Sequence, residues 1–165
     1  MIGDLNSPPV VLLLTMTLYW KTVQSKKTVM YQLEKVSSSE ALLLTEEVIG
    51  EANKIEKHIA VAVCGPEGEL ISFLRMDGAS PAASRIAQNK AYTAAVDRKD
   101  TRLMGQFMFE NNRPPAFWGD QGITGFGGGV TIRHKDKVIG GIGVSGLSEE
   151  EDERIAYAAI RTVYK

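Results

Sequence analysis

After residue 36, hydrophobic residues recur at the spacing of an α-helix. Ser37 and Glu40 have the spacing of a capping box, in which the two side chains satisfy backbone N–H groups at the start of a helix. Apolar side chains then follow at intervals of three or four residues, which is the period of one helix face. The pattern predicts an amphipathic helix over about 39–57, with a buried face made of Ala41, Leu44, Val48, Ala52 and Ile55.

Short apolar segments predict two β-hairpins. Residues 59–63 are rich in β-branched side chains, and residues 69–76 follow after a Gly- and Pro-containing turn at 65–68. Such a pair is typical of antiparallel strands. A second pair comprises 130–134 and 137–146, with its turn at Lys135 and Asp136.

Two helices are predicted between the hairpins. Ser80 followed by Pro81 is typical of an N-cap and first helical turn, and the helix runs to about Val96. A shorter helix begins at Asp100 or Thr101.

A fourth helix follows the second hairpin, because Ser148 and Glu151 repeat the capping-box spacing. The order is α-ββ-α-α-ββ-α. Hairpins imply an antiparallel sheet, and helices must cover at least one face of it. We therefore predict an α+β domain in which an antiparallel sheet of two hairpins is covered by helices, with profilin-like or PAS-like layering.

The apolar run at 8–20 lies before this domain. It is shorter than the roughly 20 residues of a membrane-spanning helix, and Asp4 is the only charge ahead of it, unlike in a secretory signal. We expect 1–29 to be an N-terminal appendage and 30–165 to be the single domain of a cytoplasmic protein without a membrane partner. An extra strand and an uncleaved anchor are the alternatives for 1–29.

The composition of the chain argues against several classes of partner and binding site. The chain has 165 residues with 19 basic and 20 acidic side chains, a balance that argues against a nucleic-acid partner. The single cysteine, Cys64, excludes an intrachain disulfide and a Cys-rich zinc site, and we expect it to be a packed, inert thiol. The two histidines, His58 and His134, are predicted to lie on the surface and leave little material for a metal site.

Glycine is concentrated in one part of the chain, since ten of the 16 glycines lie between Gly119 and Gly146. The GFGGG segment at 125–129 precedes a strand and does not match a dinucleotide-binding motif. Glycines within a strand indicate close approach of another backbone or of a ligand. The glycines of the second hairpin therefore reflect either tight helix-on-sheet packing or a face cleared for a flat ligand.

The 111–126 segment is long for a connection and rich in aromatic residues, which is typical of functional loops. Trp118 is expected to be either a lid residue over a pocket or a hydrophobic plug that anchors the loop.

Lys90 lies on the Ala-rich face of the helix that starts at Pro81. Such a lysine either extends along its stem to the surface or points into a pocket, where burial would favour acid–base or imine chemistry. Asp77 is its candidate partner, with a turn cap as the alternative role.

Several segments together resemble the GlcG/HbpS family of haem-binding proteins, whose domain also occurs at the C-terminus of PduO-type corrinoid adenosyltransferases. The resemblance covers about 36–163. It rests on RMDGASPAASRIAQNKAYTAA (75–95), Thr101, GGGVTI (127–132) and KVIGGIGVSGLSEEEDERIAYAA (137–159).

The resemblance implies an α+β fold, a homo-oligomer, and haem or related tetrapyrrole binding, with haem degradation or sensing in some members. It implies that Thr101 contacts haem as a weak oxygen ligand of the iron. Some relatives have a histidine after that threonine, where this chain has Arg102, a possible partner of a haem propionate. The expected ligand slot comprises Thr101, Arg102, Trp118, Gly127, Gly128, Gly129 and Gly141.

Two other functions stay open. One is a metal-independent small-molecule enzyme in which Lys90 and Asp77 are the catalytic acid and base. The other is a non-catalytic oligomeric accessory protein, in which the glycines serve only packing. The aromatic content of 111–126 also allows a ligand different from that of the relatives.

Overall fold

Helix α1 (Ser38–Lys54) begins where the Ser37 and Glu40 spacing predicts. The Glu40 N–H donates to Ser37 Oγ at 3.2 Å, and the Ser37 N–H donates to the Glu40 carboxylate at 2.8 Å. The computed structural model describes residues 30–164, so the predicted appendage at 1–29 lies outside the described residues.

The two predicted hairpins join into one antiparallel sheet. Its strands are β1 (Ala60–Cys64), β2 (Leu70–Arg75), β3 (Gly129–His134) and β4 (Lys137–Ser145), in the spatial order β2-β1-β4-β3. The hairpins meet where β1 pairs with β4, which places Ala62 opposite Gly143.

Strand β4 alternates large and small side chains. Ile142 and Val144 face α1 and α4 (Glu149–Val163), where they contribute to the larger hydrophobic cluster. Gly141 and Gly143 face α2 (Pro81–Val96) on the other side. Because neighbouring strand residues point to opposite faces, this alternation lets a single strand serve two different helix layers.

The two faces of the sheet have different cores. On the side of α1 and α4 the core consists of branched aliphatic side chains, whereas on the side of α2 it consists mainly of alanines. Helix α3 (Thr101–Glu110) and a 3₁₀ turn (Pro115–Trp118) follow α2. The predicted α+β class and element order are therefore confirmed, and helices cover both faces. Among residues 30–164, no helix combines the length and hydropathy needed to cross a bilayer.

Candidate functional site

A groove of about 630 Å³ lies between α3 and the loop that leads to β3. Small-molecule sites are usually concave and mostly apolar, with a few polar groups that orient the ligand, and this groove has that character. Its polar side chains include Arg113 and Glu149. It is lined by Gly105, Met108, Phe109, Asn112, Arg113, Pro114, Pro115, Thr124, Gly125, Phe126 and Glu149.

Local sequence opens the groove by ending α3 abruptly. Asn112 has a left-handed backbone, with φ of 50°, and the Arg113 N–H returns to the Met108 carbonyl at 2.9 Å. Pro114 and Pro115 cannot continue the helix because proline lacks a backbone donor and clashes with the preceding turn. The chain therefore leaves the helix axis and forms one wall of the groove.

Two glycines allow the opposite wall to approach α3. A Cβ atom on Gly105 would lie 2.2 Å from the Gly125 carbonyl oxygen, so only glycine fits at this crossing.

Asp120 anchors the 111–126 loop through two hydrogen bonds. The Tyr92 hydroxyl donates to Asp120 Oδ2 at 2.6 Å, and the Gly122 N–H donates to Asp120 Oδ1 at 2.8 Å. The Tyr92 hydrogen bond also lowers the pKa of Asp120, which keeps this loop anchor ionised.

Trp118 is not among the residues that line the groove. Its ring meets that of Phe107 edge to face, with centroids 6.4 Å apart, and it packs on the cluster of Met104, Met108 and Ile123. These contacts agree with the alternative in which Trp118 is a hydrophobic plug that anchors the loop. The expected contact of Trp118 with a ligand stays a prediction.

Thr101 is fully buried at the start of α3. Its Oγ1 accepts the Gly129 N–H at 2.8 Å and donates to the Gly129 carbonyl at 3.3 Å. In this arrangement the hydroxyl is turned towards the chain's own backbone, and its role as an oxygen ligand of haem iron stays a prediction. The hydroxyl ties α3 to the start of β3.

Arg102 is part-exposed and reaches towards α4. Its Nε donates to Glu153 at 2.6 Å and its Nη1 donates to Glu150 at 3.2 Å. The hydrogen bond to Glu153 is the main cause that raises the pKa of the guanidinium. A propionate would have to compete with two carboxylates of the chain itself, so the described geometry does not present Arg102 as a free anion partner.

The predicted slot glycines are buried and hold elements together. The Gly127 N–H donates to Glu149 at 2.7 Å. Gly128 has φ of 107°, and a Cβ atom there would lie 2.8 Å from Lys90 Nζ. A Cβ atom on Gly129 would lie 2.5 Å from the Lys90 carbonyl oxygen.

Gly141 lies beneath α2. A Cβ atom there would lie 2.4 Å from the Ala91 carbonyl oxygen and 2.7 Å from the Ala95 nitrogen. The helix backbone therefore occupies the face for which a flat ligand was the alternative occupant. Of the two readings, close helix-on-sheet packing is the one that the structure shows at Gly141.

Lys90 is buried, but its partner is Asp152 rather than Asp77. Lys90 Nζ lies 2.8 Å from Asp152 Oδ2 and 2.9 Å from the Val144 carbonyl oxygen, and the two paired side chains are 3% and 2% exposed. Asp77 lies exposed in the turn after β2. The structure therefore separates the two expected catalytic residues.

Asp152 is the residue that sequence reasoning missed. It stands in the acidic run 149–153 at the start of a helix, where the helix dipole favours negative charge, so nothing in the sequence singles it out. Burial raises the pKa of its carboxyl, while the Lys90 ammonium and the hydrogen bonds it accepts oppose that rise. Its second oxygen accepts the Leu147 N–H at 3.2 Å.

The remaining candidates lie apart from the groove. Cys64 is buried, and burial raises the pKa of its thiol to about 12, as expected for an inert thiol. His58 and His134 are exposed. Across residues 30–164, no group of three or more His, Cys, Asp and Glu side chains is arranged to hold a metal ion.

Comparison with known proteins identifies the family. The family model described as haem degrading protein HbpS-like matches residues 36–161. The chain belongs to this family. Protein GlcG of Escherichia coli (strain K12) is 37% identical over 95 residues, which are 58% of this chain and 69% of GlcG. The expected resemblance over 36–163 is confirmed.

Solved structures of relatives share the fold. A double mutant of Streptomyces reticuli HbpS has a TM-score of 0.75 and 26% identity, over 84% of this chain and 93% of HbpS. A complex of PduOC with haem has a TM-score of 0.71 and 27% identity, over 77% of this chain and 94% of PduOC. The predicted relation to PduO proteins is confirmed as well.

Proposed function

We propose that this protein binds haem or a related tetrapyrrole in the groove between α3 and the 111–126 loop. The observation that carries the proposal is the groove itself, an apolar slot with an arginine on its wall. Two family comparisons support it, because the matching family is described as haem degrading and PduOC has been solved with haem.

The volume and the apolar lining of the groove support binding of a tetrapyrrole. Its volume of about 630 Å³ lies within the range of small-molecule sites. Phe109 and Phe126 line it and are 88% and 56% exposed, so a flat macrocycle would cover apolar surface that is otherwise in water. Arg113 supplies a positive charge for a carboxylate of the ring.

Bound haem would supply a redox-active iron, and degradation or sensing of the bound haem is the activity proposed, which the family description supports for degradation. The chain's own contribution is to bind the ring and to orient its carboxylates. Lys90 and Asp77 take no part in this proposal, because Lys90 is sealed from solvent by its ion pair with Asp152. The acid–base alternative therefore receives no support from the geometry.

Titration of the purified protein with haemin tests the proposal. We expect a shifted and saturable Soret band that weakens in Phe109→Ala. The control is Phe117→Ala, which removes an aromatic ring that is 70% exposed and does not line the groove. A Soret band that is absent from the unaltered protein, or that responds equally to both variants, would overturn the groove as the site.

We also propose that the chain self-associates, as the family resemblance implies. Exposed apolar side chains support this, and β2 pairs with only one strand within the described sheet. Light scattering across a concentration series should give a mass above that of one chain, and a monomer throughout would contradict it. The exposed side chains are Leu42 and Leu43 on α1 and Leu70, Phe73 and Leu74 on β2.

A further inference from the structure

Most of the groove atoms that could ligate haem iron are weak ligands or are hydrogen-bonded within the chain. Within the described part of the chain, no imidazole, thiol or phenol lines it. Met108 carries a thioether, but the residue is only 7% exposed and packs against Met104 and Ile123. A thioether in that cluster would have to leave its apolar packing to reach a metal.

Two side-chain oxygens of the groove are hydrogen-bonded within the chain, and the Asn112 amide is a neutral, weak ligand for iron. Glu149 Oε2 accepts the Gly127 N–H at 2.7 Å. Thr124 Oγ1 accepts the Phe126 N–H at 3.2 Å. Each of these bonds holds part of the groove wall, so moving either side chain towards an iron would strain the wall that contacts the ring.

Arg113 differs from the other charged groups around the groove. Its guanidinium is exposed and lies 6.0 Å from the Phe107 ring, and no carboxylate among residues 30–164 pairs with it. Arginine presents several fixed donors that match a carboxylate. Glu149 lines the same groove and would repel a carboxylate placed beside it, which favours an orientation with the acidic edge of the ring at Arg113.

We propose that the groove recognises the apolar ring and the carboxylates of a porphyrin and does not recognise its metal. Metal-free protoporphyrin IX should then bind about as tightly as haemin. This inference rests on the proposed function, since it concerns the same groove. It adds the class of ligand that the groove selects, namely flat porphyrin carboxylic acids irrespective of the central ion.

The experiment compares three ligands by quenching of intrinsic tryptophan fluorescence. These are haemin, metal-free protoporphyrin IX and protoporphyrin IX dimethyl ester. We expect the first two dissociation constants to agree within about threefold and the ester to bind about tenfold more weakly, because it cannot form a charged hydrogen bond. Haemin binding more than about tenfold tighter than the metal-free ring would overturn the inference and show that the iron is ligated.

A charge variant tests the role of Arg113 separately. Arg113→Gln should weaken protoporphyrin IX about tenfold and leave the ester unchanged, because the ester offers no charge to lose. The control Arg75→Gln alters an exposed arginine on β2 that does not line the groove and should change neither constant. Equal effects of the two variants would overturn the assignment of Arg113. Failure of all three ligands to bind would instead refute the proposed function, so the two failures are distinguishable.

Discussion

Lys90 and Asp152 form an ion pair that is closed off from water between α2 and α4. The Nζ to Oδ2 distance is 2.8 Å, and the side chains are 3% and 2% exposed. Lys90 Nζ also donates to the Val144 carbonyl, and Asp152 also accepts the Leu147 N–H. A buried charge is tolerated only when it is paired and hydrogen-bonded, and both conditions hold here.

Breaking this pair should destabilise the fold. Lys90→Met leaves a buried carboxylate without its cation and should lower the free energy of unfolding by about 3–5 kcal/mol. The double variant with Asp152→Leu should recover part of that loss, because an apolar pair needs no desolvated charge. Urea denaturation followed by circular dichroism measures both. As a control, Lys54→Met removes an exposed pair with Glu51 and should change little. A similar loss in the control would contradict the assignment.

Gly143 should tolerate no side chain. A Cβ atom there would lie 2.2 Å from the Ala87 carbonyl oxygen and 2.5 Å from the Ala91 nitrogen, and neither backbone atom can move without displacing α2. Gly143→Ala should cost at least about 1–3 kcal/mol, as overpacked cores do. Gly50→Ala places its methyl group in open space within α1 and should stabilise by about 0.5–1 kcal/mol. In thermal denaturation, the melting temperature should fall for Gly143→Ala and rise for Gly50→Ala.

Thr101→Val distinguishes a structural role from iron ligation. The variant keeps the shape of the side chain but leaves the buried Gly129 N–H without its acceptor, so we expect a loss of about 1–3 kcal/mol in stability. The haemin spectrum should be unchanged at saturation. Thr162→Val removes an exposed hydroxyl on α4 and serves as the stability control. Loss of the Soret band in a folded Thr101→Val protein would instead support the ligand role implied by the family resemblance.

Alkaline pH should weaken the fold through Cys64. Burial raises the pKa of the thiol from 9.0 to about 12. Between these values the folded protein keeps a proton that the unfolded chain releases, so stability is full below pH 9 and declines as pH rises towards 12. Denaturant unfolding of the unaltered protein and of Cys64→Ala over this range measures the effect. The variant should show the shallower decline, and parallel curves would count against it.

Several features of the fold could be predicted because their causes are local. The capping boxes at Ser37 and Ser148 specify where α1 and α4 begin, since their partners lie three residues away. Turn residues and flanking apolar runs predict both hairpins, and their strand pairs match the sheet. The element order could therefore be predicted without knowing how the helices pack on the sheet.

The site could not be predicted in the same way. Asp152 is 62 positions from Lys90, and only the packing of α4 beside α2 makes the two residues partners. Asp77 is much nearer in the sequence, yet it lies in an exposed turn. Sequence distance is a poor guide here, because buried charges pair with whatever group the fold places against them.

The sequence by itself determined the family, the α+β class and the positions where glycine is concentrated. Tertiary structure decided what those glycines do. Gly141 and Gly143 bring α2 onto the sheet, whereas Gly105 and Gly125 let α3 and the following loop approach closely enough to frame a groove. A glycine marks a close approach, but what approaches it is set by contacts between segments distant in the chain, and a linear pattern does not encode those contacts.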